Sequence, residues 1–175
     1  MTFTDDAALE RRCRDRAAAI AVPRPFSLPA LVQGVAAGLG RPIRLEPLPE
    51  HYGAAVSGEC QVSEEGLTLR YPPRAGAWYA LTAVAHEIGH IVSGHLTEPG
   101  ATVRTRAVDA LLPDLQEAHR QWGLYRCSLA DGQELEAELV ASFLVHRIEE
   151  DARRPEPPSA PVARRFTQML GGRRP

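Results

Sequence analysis

A chain of 175 residues is long enough for one domain with a buried core, and no second enzyme domain is expected within it. Hydrophobic residues at 44% and charged residues at 24% are ordinary globular values, which excludes a wholly disordered chain. The net charge of −2 supplies no global attraction to nucleic acid or anionic membrane, so any such contact has to be local.

The predicted elements begin with an amphipathic helix over residues 5–21, where Leu9, Cys13, Ala17 and Ile20 recur at steps of three and four. Ser27 is placed to cap a second helix carrying Leu28, Leu31, Val32, Val35 and Leu39, with Gly40 just past its end as an αL stop. Three short strands are expected at 42–47, 54–61 and 66–71, separated by "PEHYG" and "SEEG". A helix over 76–95 follows, then a segment 96–131 in which helices are expected at 103–112 and 114–121. A long helix is expected over 132–150, and 151–175 reads as a Pro/Arg-rich tail with a turn or two of helix expected around Phe166 to Leu170. Helices, then a small, mostly antiparallel three-stranded sheet, then helices make an α+β domain over residues 1–150.

The basic side chains are all Arg, with no Lys in the chain, a bias that weakens Arg clusters as evidence for phosphate binding. Cys13, Cys60 and Cys127 are odd in number and widely spaced, which argues against a disulfide framework or a thiolate zinc site. With a charged N-terminal stretch and no run of 18 apolar residues, a cytoplasmic protein without membrane contact is expected.

The helix over 76–95 contains "AHEIGHIVSGH", and His86-Glu87-Ile88-Gly89-His90 within it is an HExxH pattern. Two histidines four residues apart stand one above the other on a helix and can share one Zn²⁺, and the glutamate beside them can take a proton from attacking water. In helical phase, Tyr79, Ala83, Gly89 and Ser93 share the face of His86 and His90, while Leu81, Val84, Ile88 and Ile91 lie opposite. His95 falls about half a turn from His86 if the helix continues, so it is expected to interact with the helix end rather than a metal. The third ligand then has to come from elsewhere. On the 132–150 helix, Glu136 is a carboxylate within the apolar stripe of Val140, Phe143 and Leu144, and a buried carboxylate requires a cation. Glu136 is therefore the expected third ligand, ahead of Glu134 at the polar margin and Glu138 opposite.

With "AHEIGHIVSGH" followed by "ELEAELVASFLV", the sequence resembles the ImmA/IrrE family of bacterial zinc metallopeptidases, a gluzincin-like group. The resemblance spans about residues 25–148; Glu138 stands where the family carries Asn or Asp, and Val140 where it carries an aromatic residue. It implies a minimal zincin-like fold with Zn²⁺ held by His86, His90 and Glu136. It also implies an endopeptidase acting on a regulatory protein, typically a helix-turn-helix repressor in a stress, phage or mobile-element system. On this reading Glu87 is the general base, strand 66–71 is the sheet edge that presents the substrate, and Tyr125, His119 or Tyr79 stabilises the oxyanion. Two other readings stay open: a zincin-fold regulator that binds a transcription factor without cutting it, and direct DNA binding by helices over 103–121. Pro113, Asp109, Asp114 and Glu117 weigh against the second, and no direct nucleic-acid partner is expected.

Overall fold

A computed structural model describes residues 3–51, 56–74, 76–96, 99–100, 102–106 and 131–154. Helix α1 runs Phe3–Ala19 and α2 Leu28–Leu39, followed by strands β1 (Ile43–Pro47), β2 (Val56–Ser63) and β3 (Gly66–Tyr71). Helix α3 (Ala77–Val92), strand β4 (Thr102–Arg106) and helix α4 (Asp131–Arg153) complete the described elements. The helix expected over 114–121, the residues Tyr125, His119 and Cys127, and the tail from 155 onward lie outside the described residues.

The apolar spacing of α1 does what its period requires: Leu9, Cys13 and Ala17, with Ile20 just beyond the helix, are all buried. This face lies on α4. Arg147 of α4 donates to the carbonyls of Ala17 and, at 3.1 Å, Ile20, tying α4 to the end of α1, where the Ala17 carbonyl also accepts from the Ile20 amide at 3.3 Å. At the start of α2, Ser27 Oγ accepts from the Ala30 amide at 3.3 Å. At its end Gly40 takes the left-handed conformation at φ 64°, where a Cβ would be strained.

The four strands form one sheet in the order β1-β3-β2-β4. β1 pairs with β3 in parallel, and β2 pairs antiparallel with both β3 and β4. The α+β expectation therefore holds, with one strand more than the three read from the sequence. The extra strand, β4, replaces the start of the helix expected over 103–112: its sequence "TVRTR" holds three β-branched residues in five, which favours an extended chain. The parallel pairing of β1 with β3 corrects the role given to strand 66–71. β3 has partners on both sides, so the edges of the described sheet are β1 and β4.

One face of the sheet carries Cys60, Val62, Leu67 and Leu69, all buried, and α3 packs over β2 and β3 with Leu81, Val84 and Ile88 directed into the same core. Leu69 and Ile88 have no solvent exposure, and burial of each contributes roughly 1.5–3 kcal/mol of transfer free energy. Helix α4 closes the core from the other side of α3 through Val140, Leu144 and Ile148. Among the described residues, no helix is long and apolar enough to cross a membrane.

Candidate metal centre

Helix α3 carries His86, Glu87 and His90, all buried, at the level where α4 crosses it. The i, i+4 spacing brings the two Nε2 atoms to 3.1 Å from each other. From α4, the carboxylate of Glu134 spans both: one oxygen lies 3.3 Å from His86 Nε2 and the other 3.4 Å from His90 Nε2. Three donors from two helices thus face a common point. His86, His90 and Glu134 each offer one ligand atom, these atoms lie within 4.8 Å of one another, and the group could hold a metal ion.

The structure assigns the carboxylate that reaches the histidine pair to Glu134, where the sequence pointed to Glu136. The reason lies in which face of α4 meets which neighbour. Glu134 and Glu138, one turn apart, flank Ala137 on the face against α3, and Ala137 is small enough to bring the helix axes together. Glu136 instead points toward α1. Its Oε1 receives Arg16, its Oε2 lies 3.1 Å from His95 Nε2, and Arg12 stands 3.9 Å away. A carboxylate in the apolar stripe requires a cation, and Arg16, 120 residues earlier in the chain, meets that need. Arg147, the nearer arginine in sequence, is engaged by α1 carbonyls instead.

His95 is outside the ligand group and bonds the helix end, as expected, but it sits closer to His90 than helical phase implies. Helix α3 stops at Val92, and Gly94 takes the left-handed conformation at φ 74°, so the phase arithmetic that carried His95 half a turn away does not apply past that point. The chain turns back, the His95 amide bonds the His90 carbonyl at 3.1 Å, and its Nδ1 comes to rest 3.0 Å from His90 Nδ1. His95 is thus behind the candidate metal centre rather than in it. Glu138 provides the corresponding support for His86, with Oε2 3.1 Å from its Nδ1. Both histidines therefore have an outer partner on Nδ1, which leaves Nε2 to face the common point.

The electrostatics follow from this arrangement. Burial works against a charge on His86, but Glu134 and Glu138, one on each ring nitrogen, outweigh it and raise the histidine to about 10. Hydrogen bonds from His86 and then His90 hold the Glu134 carboxyl far below its usual range, against the opposing effect of burial. In the metal-free chain the site thus keeps a proton where a cation would sit.

Glu87 has no solvent exposure and lies between α3 and β2, where a Cβ added to Gly58 would come within 2.6 Å of its Oε1. Glycine at 58 is thus what makes room for this carboxylate beside the histidine pair, at the point where the β2–β4 register is interrupted. Tyr79 lies on the first turn of α3, two turns before His86, and is partly exposed. His119 and Tyr125 lie outside the described residues. Two signals in the sequence point to Glu134: it is one turn before Glu138 on α4, and Ala137 between them marks the small-residue face that a close helix partner requires. Comparison with protein-family models, curated proteins and solved structures finds no match for this chain.

Proposed function

We propose that the chain is a zinc-dependent endopeptidase of the ImmA/IrrE type that cleaves a regulatory protein, a DNA-binding repressor being the partner the resemblance suggests. The observation that carries the reading is the convergence of His86 Nε2, His90 Nε2 and the Glu134 carboxylate on one point, with the buried Glu87 carboxylate following His86 in the same helix. Two imidazoles and one carboxylate are a donor set suited to Zn²⁺ in hydrolytic sites, where a fourth position is left for water or substrate. When bound there, zinc supplies Lewis-acid activation of water and of a peptide carbonyl.

The chain's own residues do the rest. Glu138, by accepting from His86 Nδ1, holds that ring with its Nε2 lone pair toward the site. Glu87 is the group that takes the proton of the attacking water and delivers it to the departing amine, and its burial beside Gly58 fixes its position on α3. An extended substrate adds most simply to a free sheet edge, which among the described strands means β1 or β4.

The test is a trap. Glu87→Gln is expected to keep about one zinc per chain and to retain partner proteins from the native host without cutting them, while the unsubstituted chain releases cleaved products; loss of the base is expected to lower turnover about 10²–10⁴-fold. A Glu87→Gln chain with full biological effect would point instead to a regulator that binds without proteolysis.

A further inference from the structure

The hydrogen bonds behind His90 continue for two residues beyond what a single outer partner provides. His90 Nδ1 lies 3.0 Å from His95 Nδ1, His95 Nε2 lies 3.1 Å from Glu136 Oε2, and Glu136 Oε1 receives Arg16 from α1. His95 has a side chain only 5% exposed and Glu136 one 16% exposed, so water competes weakly for either. The chain joins three separate pieces of structure: the end of α3, helix α4 and helix α1.

A neutral imidazole carries one N–H and one lone pair. For His90 to offer Nε2 to a metal, its N–H has to be at Nδ1. His95 Nδ1 must then accept, which puts the His95 proton on Nε2, facing a carboxylate oxygen that can only accept. Every contact is satisfied by this distribution of protons, and with both rings neutral any other sets two N–H groups or two lone pairs against each other, or a lone pair against the Glu136 carboxylate. Arg16 completes it by supplying the positive charge that keeps Glu136 ionised, and so an acceptor.

We infer that His95, Glu136 and Arg16 form a positioning relay that fixes the tautomer and ring orientation of His90, so that helix α1 is coupled to the metal affinity of the site. The inference rests on the reading of His86, His90 and Glu134 as metal ligands, and it gives the two histidines different supports: one carboxylate for His86, a three-residue relay for His90.

The experiment measures zinc affinity on the full chain by competition with a chromophoric chelator, together with ¹⁵N-edited NMR of the His90 ring in the zinc-loaded form. His95→Ala is expected to weaken zinc binding about 10- to 100-fold and to abolish the slowly exchanging Nδ1–H signal of His90. His95→Gln, whose amide can both accept and donate, is expected to recover most of the loss. Arg16→Met, a change at a half-buried position of α1 that serves should His95→Ala fail to fold, is expected to weaken zinc binding several-fold. His146→Ala, exposed on α4, should leave affinity unchanged. Wild-type affinity and an intact Nδ1–H signal in both His95→Ala and Arg16→Met would overturn the relay while leaving the metal centre standing. An unsubstituted chain that takes up no zinc would overturn the metal reading itself, and the relay with it.

Discussion

Gly89 of α3 and Ala137 of α4 touch backbone to backbone: a Cβ added to Gly89 would stand 2.4 Å from the Ala137 carbonyl oxygen and 2.9 Å from its Cα. This contact sets the distance between the two helices at the height of the candidate site. Both nearby atoms are backbone, so no rotamer change can absorb the overlap, and α4 has to move away as a body. Gly89→Ala is therefore expected to cost at least about 1–3 kcal/mol of stability through overpacking. It is also expected to weaken zinc binding more than that loss explains, because Glu134 is carried on the helix that moves. Chemical denaturation and zinc titration of the same variant check the two parts. A Gly89→Ala chain with wild-type stability and affinity would show that the helices are not held this close.

The charge of His86 makes a statement about pH. A histidine at its ordinary value near 6.5 is almost fully deprotonated at pH 8 and has roughly 0.03 proton to release. With burial opposed and outweighed by Glu134 and Glu138, His86 is raised to about 10 and still holds its proton at pH 8. A metal ion has to displace it. Zinc uptake at pH 8 is thus expected to release about one proton from this residue, and affinity is expected to keep rising with pH above 7 and level off only near 10. Calorimetry at pH 8 in two buffers of different ionisation enthalpy counts the proton directly, and a count near zero contradicts the arrangement.

Cys60 sits on the core face of β2 with no exposure, and burial, followed by the charges of Glu87 and Glu59, pushes its thiol up to about 12. Cys13, buried on α1, is raised as well, burial again first and Glu136 second. The nucleophilic thiolate is therefore scarce at both residues, and access is blocked besides. Treatment of the folded chain with iodoacetamide at pH 8 is expected to leave the peptides containing Cys13 and Cys60 unmodified, with full modification after unfolding in denaturant. Rapid labelling of Cys60 in the folded chain would place β2 differently.

The sequence made some of this legible and not the rest, and the difference has a physical basis. Helix α2 was readable to the residue because its ends are set by local chemistry: Ser27 as cap and Gly40 as left-handed stop. His86, Glu87 and His90 were readable because an i, i+4 relation inside one helix needs no knowledge of the rest of the chain. Glu134 was not, since the choice among Glu134, Glu136 and Glu138 depends on which neighbour meets which face of α4. The apolar stripe indicates the core, whereas the closest helix contact is marked by small residues, Gly89 and Ala137. His95 was misplaced for a related reason: extending the helix from Val92 through Gly94 gave a phase to a residue that had already left it. Strand β4 was missed because its pairing with β2 is long-range, and three β-branched residues in five positions are a weak signal by themselves.

On the proposed reading Zn²⁺ is held by His86, His90 and Glu134. Anomalous diffraction at the zinc edge from crystals of the zinc-loaded chain locates the ion. A single peak is expected within about 2.0–2.2 Å of His86 Nε2, His90 Nε2 and a Glu134 oxygen, with Glu136 still paired to Arg16 and His95. A zinc ion ligated by Glu136 or His95 in place of Glu134, or no peak between the two histidines, would contradict it.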